Sequence, residues 1–208
     1  MDLLDALGAI LVPPTCAACG RSCLGDAELC ARCLRRLGEA APLRGAGPPG
    51  VDRAWSSAPH QGVARELVVA LKYRRLTPVA LAMAERIHLL LPEALRGGVV
   101  MPVPAAPLRS LVRGFDPAEW IAARFAELSG STYLVGALRR AGGGRQVGRN
   151  RAERIGRPPR IEARGGAPRS VLLVDDVLTT GATVSACARA LRGAGAVRVV
   201  AVTFARRP

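Results

Sequence analysis

The chain has 208 residues, half of them apolar, with 23 glycines and 16 prolines, which suits one globular domain plus a small appendage and excludes two full enzyme domains or a disordered chain. Thirty basic residues against sixteen acidic leave a net charge of +14, and Lys72 is the one lysine. Such an excess favours polyanions (nucleic acid, phosphorylated small molecules, pyrophosphate), although it also serves a solvated surface with no partner. No apolar run approaches the roughly 18 residues of a membrane span, and the opening Met1-Asp2-Leu3-Leu4-Asp5 is acidic where a secretory signal is basic. A cytoplasmic protein without membrane insertion is expected.

In chain order, a short apolar lead ends at Pro13-Pro14, and two CxxC pairs follow, Cys16–Cys19 and Cys30–Cys33. Residues 1–41 read as a zinc-binding double-CxxC module and the Pro/Gly-rich stretch 42–50 as a linker. Residues 51–208 read as the main domain, where short apolar runs alternate with helical patterns, as an α/β fold requires. Thr77-Pro78 offers an N-cap and an N1 proline, and Asp116-Pro117-Ala118-Glu119 does the same with Glu119 placed for a capping box. Val171–Val174 and Val197–Phe204 are apolar without interruption, the signature of parallel strands covered on both faces. Between them Thr183–Arg192 is helical, closed by Gly193 and Gly195. The segment at about 139–169 is expected to be a basic flexible loop with at most a short ordered piece. From Arg139 to Ser170 it holds ten arginines against Glu153 and Glu162.

Each CxxC sets two sulfurs on one tight turn, and two such turns complete a tetrahedral set at about 2.3 Å from zinc. Cys16, Cys19, Cys30 and Cys33 are therefore candidate ligands of a structural zinc. Four protein ligands leave no open coordination position for catalysis. A thiol redox role is the alternative, and a disulfide framework is disfavoured without a secretion signal. Cys23 is a spare thiol able to replace a ligand, and Cys187 sits in a buried helical pattern.

The most informative run is Val171-Leu-Leu-Val-Asp175-Asp176-Val-Leu-Thr179-Thr180-Gly181-Ala182-Thr183. A buried strand ends in two carboxylates, and a threonine loop around one glycine leads into a helix. Ligands of α/β sheets bind at this carboxyl edge. The loop amides, the hydroxyls and the positive end of the helix suit a phosphate. The carboxylates cannot bind that phosphate, but they suit two vicinal hydroxyls, so the pattern suggests a ribose 5-phosphate. The plainer alternative is a capped loop with threonine turn bonds. Neither GxxxxGK[ST] nor a strand-borne GxGxxG occurs.

These thirteen residues resemble the phosphoribosyl pyrophosphate (PRPP) signature of type I phosphoribosyltransferases. Together with the double CxxC, Leu71-Lys72-Tyr73, Met101-Pro102-Val103-Pro104, Arg113-Gly114-Phe115 and Gln146, the order resembles the ComF family of competence-associated proteins. The resemblance implies a type I phosphoribosyltransferase fold, a mainly parallel sheet flanked by helices, with a small N-terminal zinc-ribbon-like module. It implies PRPP as ligand together with Mg²⁺. Asp175 and Asp176 would hold the ribose hydroxyls and support catalysis, and Thr179, Thr180, Gly181, Ala182 and Thr183 would hold the 5-phosphate. Pro102, Val103 and Pro104 would receive pyrophosphate, and the basic stretch around Gln146 would form a hood. Lys72, Arg113 and Gln146 are candidate pyrophosphate or partner contacts, with ordinary surface charge the alternative for Lys72 and Arg113. The family usually reads Arg-Gly-Phe-Asn where this chain has Asp116. The implied process is DNA uptake in natural competence, and the alternative is a non-catalytic scaffold that handles single-stranded DNA, contacts competence-machinery proteins or senses PRPP. No aromatic residue lies between Leu134 and Phe204, so base-stacking platforms are missing from the basic segment.

Overall fold

Uninterrupted apolar strands need cover on both faces of their sheet. The computed structural model describes residues 14–23, 28–141 and 159–207. In chain order it contains α1 (Ala31–Gly38), β1 (Leu43–Ala46), β2 (Arg53–Pro59), α2 (Gly62–Arg74), α3 (Pro78–Leu90) and a 3-10 turn at Glu93–Leu95. Then come β3 (Val99–Pro102), α4 (Pro107–Arg113), α5 (Pro117–Ser129), β4 (Leu138–Arg140), β5 (Ile161–Ala163), β6 (Ser170–Leu178), α6 (Ala182–Gly193) and β7 (Arg198–Arg206). The main sheet has the order β1-β2-β7-β6-β3. β2, β7, β6 and β3 run parallel, and β1 closes one edge antiparallel to β2.

Side chains alternate across this sheet, and both sets are apolar. Trp55, Leu172, Val174, Val200, Val202 and Phe204 pack with α2, α3 and α5, whereas Ala54, Met101, Leu173, Val199 and Ala201 pack with α6 and Leu138. Leu172 and Leu173 are almost wholly buried on opposite faces. Truncating either to alanine costs about 2–5 kcal/mol.

The cysteine module shares this core. Cys16, Ala17, Cys23, Cys33 and Leu37 belong to the same buried cluster as Leu67, Leu71 and Met83. Arg74 Nη1 donates to the Ala17 carbonyl at 3.2 Å, and Arg86 Nη2 donates to the carbonyls of Ala40 at 2.6 Å and Ser57 at 3.1 Å. α2 and α3 thus hold the module against the sheet.

Several local expectations change. The stretch read as a linker contains β1, because Leu43–Ala46 can extend the sheet beside β2 despite its Pro/Gly-rich flanks. Pro48, from the same stretch, lies so close to Gly181 that a Cβ there would meet its ring carbons at 2.8–2.9 Å, and Gly181 has φ +73°. Glycine is required at that position on both counts. Thr77 does not cap α3: it is itself helical, and the amides of Val79 and Ala80 bond the carbonyls of Leu76 and Thr77 instead. The basic segment read as a loop is strand at both described ends. β4 and β5 pair antiparallel, Arg139 Nη2 meets Glu162 Oε2 at 2.7 Å, and Leu138 is buried. β6 also runs beyond the two acids, to Leu178. The capping expectation at Asp116 holds, with its Oδ1 accepting from the Ala118 amide at 2.9 Å.

Candidate functional site

The four parallel strands end on one edge, and the chemistry-bearing residues collect there. Asp175 and Asp176 lie on β6, three and two residues before its end. Strand alternation sends them to different faces. Asp176 turns toward α2 and forms an ion pair through Oδ2 with Lys72 Nζ, where the side chains keep only 9% and 21% exposure. Asp175 lies on the α6 side, half-buried, and its Oδ1 accepts from the Asp176 amide at 2.9 Å. Burial, and then the Asp176 charge, push the Asp175 carboxyl well above the ordinary carboxylate range, against the pull of Lys72.

Thr179 and Thr180 are exposed in the turn after β6, and Gly181 is the N-cap residue of α6. The Ala182 amide reaches Thr180 Oγ1 at 3.4 Å, and the Gly181 carbonyl accepts from Ser185 at 2.8 Å. The first amides of α6 therefore face a small cleft lined by Asp175, Thr179, Thr180, Gly181 and Thr183. Amide donors at a helix start favour an anion, and carboxylates a few residues away favour hydroxyls or cations. A wider cleft lies elsewhere, between α1 and the start of α2, lined by Arg36, Glu39 and Gln61 among others. It gathers none of the residues singled out above.

Pro102 ends β3, and the Val103 amide bonds the Val174 carbonyl at 2.9 Å, which brings Pro102–Pro104 alongside Asp175 at the sheet edge. Asp116 fixes this loop from behind. It accepts from Ala118 at the start of α5 and, through Oδ2, from the Ala105 amide at 2.9 Å. Burial raises its carboxyl above the usual range, the two amides oppose that, and the charge of Asp176 adds to it. Arg113 ends α4 and is not on the acidic pair; its guanidinium lies 5.3 Å from the centre of the Tyr73 ring, which is 71% exposed. Gln146 lies outside the described residues.

Two contributors escaped the sequence reading. Arg140, at the end of β4, donates from Nε to the Pro104 carbonyl at 3.0 Å and from Nη2 to Thr183 Oγ1 at 3.2 Å. In sequence it is one of ten similar arginines. His60, just after β2, is held below its usual pKa by burial, then by Arg207 and Lys72, with Asp176 opposing.

The cysteines form a second centre. The sulfurs of Cys16, Cys19, Cys30 and Cys33 all lie within 4.8 Å of one another and could hold a metal ion. Cys19 and Cys30 are 3.8 Å apart, the edge of a tetrahedron with metal–sulfur bonds of about 2.3 Å. Burial raises the Cys16 thiol, but the amides of Cys30, Cys19 and Ala18 overcome that and bring it to about 6. Burial and the neighbouring sulfurs push Cys33 up. Cys23 is buried beside this set without being one of the four.

The α/β sheet with its acidic strand end, threonine–glycine turn and helix start agrees with the phosphoribosyltransferase fold expected from the sequence. Residues 112–208 match the family model of the phosphoribosyl transferase domain. Over 106 residues the chain is 32% identical to competence protein ComFC of Streptococcus pneumoniae (strain ATCC BAA-255 / R6), covering 50% of this chain and 46% of that protein. The chain thus spans about half the length of that relative. Among solved structures, orotate phosphoribosyltransferase from Aeropyrum pernix aligns at 22% identity with a TM-score of 0.36, over 85% of this chain and 81% of that one. Residues 112–208 are thus similar to the phosphoribosyl transferase domain and about half of the chain to ComFC, and the expected resemblance to the ComF family is borne out by this similarity and the four-cysteine cluster. Among the described residues no helix is long and apolar enough to cross a membrane.

Proposed function

We propose that this domain binds PRPP at the carboxyl edge of β6 and transfers or senses its ribose 5-phosphate within natural competence. The observation that carries the reading is the placement of two opposite chemistries a few residues apart. Asp175 and Asp176 accept hydrogen bonds from ribose hydroxyls, and Thr179–Thr183 with the first amides of α6 donate to the 5-phosphate. The Pro102–Pro104 loop, beside Asp175, receives the pyrophosphate. A nitrogen nucleophile then displaces that pyrophosphate from the ribose C1. As the C1–O bond breaks, positive charge grows on the ribose ring and the two carboxylates stabilise it. Lys72 shares Asp176 and tempers the repulsion within the acidic pair before the ligand arrives. The acidic pair is the hard-oxygen donor set that would hold Mg²⁺ at this edge, and the ion would supply positive charge against a departing pyrophosphate. Cys16, Cys19, Cys30 and Cys33 hold a structural Zn²⁺ that fixes the N-terminal module.

A thermal unfolding series tests this. PRPP with Mg²⁺ at 100 times its dissociation constant stabilises the folded chain by about 2.7 kcal/mol, a rise of several degrees for a chain of this size. An unchanged midpoint at millimolar PRPP would contradict the proposal.

One observation favours a second reading, a scaffold that handles single-stranded DNA. The exposed Tyr73 ring with Arg113 over it is a stacking pair of the kind that receives bases. Loss of oligonucleotide affinity on Tyr73→Ala, with PRPP binding intact, would support it; unchanged affinity would remove its basis.

A further inference from the structure

Arg140 joins two walls of the candidate site that are distant in sequence. Its Nε donates to the Pro104 carbonyl, on the loop after β3, at 3.0 Å, and its Nη2 donates to Thr183 Oγ1, at the start of α6, at 3.2 Å. Asp175 lies on β6, the strand between those walls. The guanidinium is not delivered by a loose loop. Arg140 closes β4, its Cα is paired with Ile161 of β5, and Leu138 two residues earlier is buried in the core under α6. Cys187, buried in α6, senses the same neighbourhood: burial raises its thiol to about 12, the Asp175 charge adds to that, and Arg140 opposes it.

A planar guanidinium whose separate nitrogens hold two acceptors sets the distance and the angle between them, which a lysine ammonium on a flexible stem cannot do. We infer that Arg140 is a positioning residue, a tie that fixes the span between the Pro102–Pro104 loop and the Thr179–Thr183 turn so that a ligand with an anionic group at each end is recognised as a unit. The inference rests on the phosphoribosyl reading of the site and names the property that reading leaves open, which is discrimination by the second anion. Ribose 5-phosphate carries one anionic group and engages one wall. PRPP carries a phosphate at one end and a pyrophosphate at the other and engages both.

Calorimetric titration of PRPP and of ribose 5-phosphate, each with Mg²⁺, into wild type, Arg140→Lys and Arg140→Ala tests this. Both variants are expected to bind PRPP at least about tenfold more weakly and ribose 5-phosphate within about threefold of wild type. Equal losses for the two ligands, or wild-type PRPP affinity in Arg140→Lys, would overturn the inference. Amide hydrogen exchange without ligand gives a second readout. In Arg140→Ala the amides of Val103, Ala105, Thr183 and Val184 are expected to exchange faster together while those of β6 and β7 keep their protection, which also shows that the variant folds. Unchanged exchange in either loop overturns the tie. A wild type that binds neither ligand would sink the phosphoribosyl reading, and the tie would then stand or fall on the exchange result.

Discussion

Asp175 and Asp176 adjoin in sequence but meet different surroundings, and that separates their roles. Asp176 is matched by Lys72, whereas Asp175 is raised by burial and by Asp176 itself. An acid raised on folding holds a proton that the unfolded chain has already released. Its contribution therefore becomes unfavourable as pH climbs from the unfolded value near 3.9 through the raised folded value. Asp175→Asn removes that cost and should raise the thermal midpoint at pH 7, by about 2–4 °C for each kcal/mol recovered, while weakening PRPP binding. A midpoint below wild type would contradict this. Lys72→Met is expected to cost about 1–3 kcal/mol by leaving a shielded carboxylate unpaired, with Asp176→Asn in the same chain recovering most of it in urea unfolding. The acidic pair was legible in sequence because strand, acids and turn are contiguous. The partner of Asp176 was not, since Lys72 lies more than a hundred residues earlier and only the packing of α2 against the sheet brings it there.

At the scale of elements, most of the architecture follows from patterns the sequence displays openly. β6, α6 and β7 were legible from the continuous apolar runs and from the glycines that close the helix. β1 and the β4–β5 ribbon were not, because short strands among prolines, glycines and arginines take their shape from a partner strand rather than from their own periodicity. Asp116 shows the same limit. Its cap on α5 was readable from Asp-Pro, but its second bond to Ala105 depends on where the β3 loop passes. Both carboxylate oxygens accept amide protons, so an asparagine would set its NH₂ against one of them. Asp116→Ala is expected to cost about 1 kcal/mol for the lost cap, with added mobility at Ala105 read by hydrogen exchange. In the cysteine module, Cys23→Ala should leave one zinc per chain by metal analysis and Cys30→Ala should not. Chelation should lower the thermal midpoint of the whole domain, because the module shares its core with α2 and α3. A midpoint indifferent to chelation would show that the four cysteines hold no structural metal.

For the whole molecule, charge and fold make different predictions about anions. A net charge of +14 attracts any polyanion and releases counterions on binding, so such affinity falls steeply with salt. The recognition of ribose hydroxyls proposed for Asp175 and Asp176 would instead be local, stereochemical and much less dependent on salt. The two effects can therefore be separated in one protein. Oligonucleotide binding, where present, should fade between 50 and 200 mM salt, roughly in proportion to the phosphates contacted, and ignore changes at Asp175 and Asp176. The measurement that tests the central claim most directly is calorimetric titration of PRPP with Mg²⁺ into the zinc-loaded protein at moderate salt, beside the Asp175→Ala/Asp176→Ala double variant. Saturable binding to the wild type and none to the folded double variant is the predicted result. Equal binding to both, or none to the wild type, would contradict a ribose site on β6.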